Sequence, residues 1–168
     1  MNRPLLLAAL ASAGLWSLTL LLAGCQGEGN GPAAPADAAA LGQRVYANNC
    51  RTCHQATGLG VPGAYPPLAG TEWVNGDKGR LVRLTLNGLR GPITVDGKPY
   101  NNVMTAHAFL SDDQLAAVLT YVRSNFGNAA GPVTPAEVAA VRAANERDEP
   151  WTAAELQNQT GIPAAPAP

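Results

Sequence analysis

Leu115, Val118, Leu119 and Val122 fall at i, i+3, i+4 and i+7, the spacing that gathers apolar side chains on one face of a helix. Ser111 precedes this stripe and Gln114 follows three residues later as a capping box, so a helix is predicted from Ser111 towards a stop at Gly127. Leu41, Val45 and Tyr46 mark an earlier helix, capped by Asp37 and running towards Asn49. Gly42 inside it costs ~1 kcal/mol relative to Ala, which points to a close backbone crossing. Leu81, Leu84 and Thr85 define a helix opened at Gly76 or Asp77 and stopped by Asn87-Gly88. Between these stripes the period is lost. Arg51 to Thr71, rich in Gly and Pro, reads as a loop, and so does Asn101 to Leu110, which carries Met104 and His107. Ile93-Thr94-Val95 and Lys98-Pro99-Tyr100 flank Asp96-Gly97, a hairpin signal.

The two ends follow other rules. Arg3 and an apolar run from Leu5 to Ala23 describe an export signal, residues 1–24. The run closes on Leu22-Ala23-Gly24-Cys25, which resembles a bacterial lipobox, with Cys25 as the lipidated first residue of the mature chain. The alternative is an uncleaved span, since about 19 apolar residues nearly cross a bilayer. Both put the remainder outside the cytoplasm, beside a membrane. Residues 25–36 lack an apolar period and read as a flexible tether, and residues 37–130 form the predicted domain. Residues 131–168 are a Pro- and Ala-rich, partly helical extension. Thr134-Pro135-Ala136-Glu137 and Thr152-Ala153-Ala154-Glu155 start its helices. It is read as a strap packing back on the domain, with a docking arm as the alternative.

Composition sharpens this picture in one respect. Only 5% of the 168 residues are aromatic, thin material for a self-sufficient core, so a bound apolar group would complete it. The net charge of −1 gives no footprint for nucleic acid.

The chemistry centres on Cys50-Arg51-Thr52-Cys53-His54. Cys-x-x-Cys-His is the attachment signature of c-type haem, in which two thiols form thioethers and the adjacent His ligates the iron. A disulfide, a thioredoxin-like pair or half of a zinc site are the alternatives. The zinc reading lacks a second ligand pair, and the thioredoxin reading lacks a βαβ context.

With this motif, Gly42-x-x-x-Tyr46 and Pro66-Pro67-Leu68-Ala69-Gly70, the chain resembles a class I c-type cytochrome from Gly42 to about Asn128. The resemblance implies an all-α fold around one covalent haem c, here with a short hairpin insertion and the C-terminal extension. It implies that Gly42 crosses the C-terminal helix near Tyr121. It implies that the Pro66 carbonyl accepts from His54 Nδ1–H, leaving Nε2 for iron. It makes Met104, the only Met once the leader is removed, the other axial ligand, a soft thioether that favours Fe(II). His107 is the competing ligand and otherwise an exposed loop residue. Thr105 stands where the family often has Pro. Tyr65, Leu68, Trp73, Tyr100 and Phe109 are candidate pocket walls, with Trp73 or Tyr100 placed to bond a haem propionate.

These features predict a membrane-tethered electron carrier with no catalytic residues. It would work in the periplasm or on the outer side of the envelope, between a quinol- or dehydrogenase-side donor and an oxidase or reductase acceptor. Gly58-x-Gly60-x-Pro62-Gly63-x-Tyr65-Pro66-Pro67-Leu68 and Val95-x-Gly97-x-x-Tyr100 are similar to single-haem domains linked to such complexes. The rivals are a haem enzyme or gas sensor, which needs an open iron and a distal acid–base group, and a non-haem lipoprotein.

Overall fold

Helix α1 (Pro35–Asn49) and helix α5 (Asp112–Ser124) cross at Gly42, and this crossing organises the molecule. A Cβ on Gly42 would lie 2.9 Å from the Ala117 carbonyl carbon and 2.9 Å from Tyr121 Cβ, so any side chain there would force the helices apart. The structure, a computed structural model, describes residues 35–164. The leader, Cys25 and most of the tether lie outside the described residues, as do the last four residues.

Between these helices come the one-turn helices α2 (Arg51–His54) and α3 (Glu72–Asn75) and then α4 (Lys78–Asn87). Strands β1 (Ile93–Val95) and β2 (Lys98–Tyr100) pair antiparallel, with Ile93 opposite Tyr100. Asp96 and Gly97 both take positive φ, 48° and 72°, as a tight two-residue hairpin turn requires. Helices α6 (Pro135–Ala143) and α7 (Ala153–Gln157) follow α5.

Several local expectations need correction. Helix α1 begins at Pro35, so Asp37 lies in its first turn instead of capping it. Residues 51–54 turn helically off the end of α1, with His54 N–H bonding to the Cys50 carbonyl at 2.9 Å, where the sequence suggested only loop. Helix α3 was not foreseen; it is too short for an apolar period and is held by buried Trp73 and Val74. Asp77 is the cap of α4, accepting from Arg80 N–H at 2.7 Å. Helix α5 stops at Ser124, three residues before Gly127. Asn side chains take its last carbonyls: Asn125 bonds Tyr121 O at 2.8 Å and Asn128 bonds Val122 O at 2.8 Å.

The apolar stripes meet in two clusters. The larger joins Val45 and Tyr46 of α1, Leu81 and Val82 of α4, and Leu115, Val118, Leu119 and Val122 of α5. Val138 and Val141 of α6 bury themselves in it, so the tail packs back on α4 and α5. The smaller cluster holds Trp73, Leu84, Leu89, Ile93, Val95 and Tyr100, joined by Trp151 and Leu156 from the tail. The partly exposed ion pairs Lys78–Glu137 at 2.6 Å and Arg142–Asp112 at 2.9 Å span the same contacts. Such pairs add ~1 kcal/mol at most, so apolar burial is what holds the tail.

Candidate haem-binding site

A cleft of about 300 Å³ opens between the two clusters. Cys50, Cys53, His54, Tyr65, Pro66, Leu68, Trp73, Tyr100, Met104 and His107 all line it, with apolar side chains of α4, α5 and β1 forming much of its wall.

The Cys-x-x-Cys-His segment is fixed by the turn that continues α1. Tyr46, from the apolar stripe of α1, sends its hydroxyl to the Gln55 carbonyl at 2.6 Å and so clamps the motif's far end. Burial, with the neighbouring Cys50 and Tyr121, raises this phenol to about 12, so it remains a donor. No disulfide joins Cys50 to Cys53. Burial and the adjacent Cys53 push the Cys50 thiol up to about 11. That is the opposite of the lowered pKa a thioredoxin-like nucleophile needs. Among the described residues no group of three or more His, Cys, Asp or Glu gathers as a metal site, so the zinc alternative finds no ligand set there.

His54 Nδ1 lies 3.0 Å from the Pro66 carbonyl oxygen. A carbonyl only accepts, so Nδ1 carries the proton and Nε2 keeps its lone pair. Burial lowers the His54 pKa against the opposing pull of that carbonyl, with His107 adding to the lowering, which favours the neutral imidazole a metal requires.

Sequence reasoning missed what holds Pro66 in place. Asn128 accepts from Gly70 N–H at 2.7 Å and from Asn75 Nδ2 at 2.8 Å, and donates to the carbonyls of Leu68 at 3.1 Å and Val122 at 2.8 Å. All four capacities of one buried amide thus tie the Pro66–Gly70 loop to α3 and α5. A lone Asn past a helix end carries no such signal in sequence. Asn128→Ala is expected to lower stability by about 2–4 kcal/mol, because buried partners lose their bonds together. A urea titration followed by far-ultraviolet circular dichroism measures it.

Met104 is half-buried against the smaller cluster. Its backbone exchanges both hydrogen bonds with Leu89, Leu89 N–H to Met104 O at 3.0 Å and Met104 N–H to Leu89 O at 2.9 Å. Asn102 Nδ2 donates to the Ala64 carbonyl at 2.9 Å, linking this loop to the one that carries Pro66.

Three expectations about side chains change. His107 is buried, not an exposed loop residue: its backbone N–H bonds the Thr85 carbonyl at 2.9 Å, and its Nδ1 has no partner among the described residues. Phe109 is 71% exposed and does not line the cleft. Trp73 lines the cleft with its ring, but its indole N–H is spent on the Thr94 carbonyl at 3.2 Å, so it is not free to bond a propionate.

This helical fold, with paired thiols, an imidazole and a thioether lining one apolar cleft, defines a c-type haem protein. Residues 39–126 match the cytochrome c family profile, and the chain belongs to that family. It is 43% identical over 115 residues to a cytochrome c-552 of Thermus thermophilus, covering 63% of this chain and 77% of that protein. A second Thermus thermophilus cytochrome c-552 is 42% identical over 111 residues, 61% of this chain and 84% of the relative. The cytochrome c subunit of a quinone-dependent alcohol dehydrogenase of Gluconobacter oxydans is 33% identical over 109 residues, 60% of this chain but 22% of that subunit. The protein is therefore a class I c-type cytochrome, an electron carrier with covalently bound haem c, and Cys50 and Cys53 occupy the positions of the Cys-x-x-Cys-His motif. Among the described residues no helix is long and apolar enough to cross a membrane.

Proposed function

We propose that this cytochrome is a lipid-tethered carrier whose iron is held by His54 and Met104, with Cys50 and Cys53 as the thioether anchors. The observation that carries the reading is the shared cleft, where a neutral imidazole with a free Nε2 and the Met104 side chain line the same apolar walls. The haem supplies an iron that alternates between Fe(III) and Fe(II). Every other part of the work falls to the chain. Cys50 and Cys53 fix the position of the group. Pro66 orients His54 and raises its basicity through the Nδ1–H bond. The Met104 thioether favours the reduced state. Leu68, the Trp73 ring and their apolar neighbours exclude water, so little reorganises when the charge changes. Tyr100 lines the cleft as a candidate propionate partner. With His54 and Met104 both holding the iron, no position would be left on it for a substrate, which is why the reading is transfer and not catalysis.

Cys25, as the mature and lipidated N-terminus, would tether the domain through residues 25–36 to a membrane outside the cytoplasm, with residues 131–168 as an extension of the 37–130 domain. The related subunits of quinone-dependent alcohol dehydrogenase, gluconate 2-dehydrogenase and cbb3-type oxidase support redox protein partners on the donor or acceptor side. Intact mass tests the haem attachment and the lipid anchor. The expected species begins at Cys25 and carries one haem and one lipid. A haem-free mass, or a Cys50–Cys53 disulfide, refutes the haem reading, and a retained Met1 refutes the lipid anchor.

A further inference from the structure

The end of α4 and the three residues after it are bonded on two sides. On one side lies the Met104 loop, through the paired Leu89–Met104 hydrogen bonds and the His107 backbone N–H to the Thr85 carbonyl. On the other lies the C-terminal tail: Trp151 N–H donates to the Gly88 carbonyl at 3.1 Å, and Arg90 N–H donates to the Trp151 carbonyl at 2.8 Å. Leu89 is thus the middle of a three-rung patch, antiparallel to Met104 and parallel to Trp151. Gly88 makes the approach possible. Its φ is +78°, and a Cβ there would stand 3.0 Å from both Ala106 N and Thr105 C.

The side chains repeat the backbone arrangement. Leu89, Trp151 and Leu156 are buried together in the cluster against which Met104 packs. The tail is pinned at the same place. The Arg147 guanidinium sits 4.3 Å over the Trp151 ring and donates to the Glu149 and Pro150 carbonyls and to the Glu155 carboxylate. Asn145 and Arg147 also bond Asn87 at the end of α4. Loops held by a few hydrogen bonds open locally at little cost, so whatever stiffens residues 88–90 stiffens the Met104 loop.

We propose that residues 145–157 brace the sixth iron ligand, with Trp151 acting through Leu89 as a positioning residue that keeps Met104 engaged. This rests on Met104 being that ligand. The tail is then part of the redox site's support as well as a cover for the core.

The test uses the full-length, haem-loaded protein, with imidazole as a probe that competes for the sixth position. Apparent imidazole affinity varies with the fraction of iron from which Met104 has detached. Trp151→Ala is expected to tighten imidazole binding about tenfold, equivalent to about 1.4 kcal/mol of easier detachment. It should also weaken the near-infrared sulfur-to-iron band and lower the reduction potential, while Trp151→Phe restores most of each. Arg147→Gln, milder at the surface, shifts all three in the same direction and serves if Trp151→Ala does not fold. Val138→Ala in α6 destabilises the other cluster and is expected to leave imidazole affinity unchanged. Equal imidazole shifts for Trp151→Ala and Val138→Ala at equal loss of urea stability overturn the brace, as does a Trp151→Ala protein with wild-type affinity. A wild-type band that survives Met104→Ala overturns the ligation reading and the brace with it.

Discussion

Met104→Ala is expected to abolish the near-infrared sulfur-to-iron band of the oxidised protein, and the reduced variant to bind carbon monoxide that the wild type should exclude. The cause is local. The proposed soft ligand would be lost, and the chain's other Met is Met1. The potential falls by on the order of 0.1–0.3 V, a share of the ~0.8 V range that axial ligands command. Stability falls by about 1–2 kcal/mol, below the usual cost for a core Met because this side chain is only half-buried against Leu89 and its neighbours. His107→Ala leaves the band in place and the potential nearly unchanged. Were the His107 variant to lose its low-spin spectrum while the Met104 variant kept it, the ligation would be His/His. Electrochemistry and carbon monoxide titration on the two variants settle the matter together.

Replacing both attachment residues, Cys50→Ala with Cys53→Ala, has the larger consequence. The purified chain is expected to release its pigment into acidified acetone, whereas the wild type should retain it, and little folded protein should accumulate. The cleft wall includes Leu68, Leu81, Leu84, Ile93, Val95, Val118 and Leu119. Each fully buried side chain of this kind is worth about 1.5–3 kcal/mol, and much of that depends on the cleft being filled. A group that binds only the folded state also stabilises by mass action, and a covalent link makes that term permanent. The single variants lose less. Each keeps one thioether, and His54 still has its Pro66 partner. Mass spectrometry and the extraction assay separate the three variants, and a double variant that retained acetone-resistant haem would end the attachment assignment.

The legible parts of this chain were those that short-range rules govern. The α5 stripe and its Ser111–Gln114 box give a helix start because cap and period depend on neighbours within one turn. Asp96-Gly97 gives the hairpin because few residues accept two positive φ values in succession. Cys50, Cys53 and His54 were readable because the attachment chemistry needs them adjacent in sequence. Gly42 was readable as a crossing because a helix rarely tolerates Gly without a reason, although only the fold shows Ala117 and Tyr121 as what it meets.

What the sequence hid was set by partners far along the chain. Asn128 bonds Leu68, Gly70 and Asn75, separations of more than fifty residues, so no local pattern marks it. Arg123 is buried because the carbonyls of Val74, Gly76 and Gly131 converge on it, at 2.5, 3.1 and 2.7 Å. Trp73 looked like a free donor until Thr94 came within reach, and His107 looked exposed until the end of α4 covered it. The sequence by itself determined the helices other than the one-turn α2 and α3, the hairpin and the chemistry of Cys50-x-x-Cys53-His54, because those are set by neighbouring residues. Only the tertiary structure decided that Trp151 and Met104 share Leu89, because backbone pairing between segments distant in sequence is fixed by where the packed helices bring the chain, not by the residues that pair.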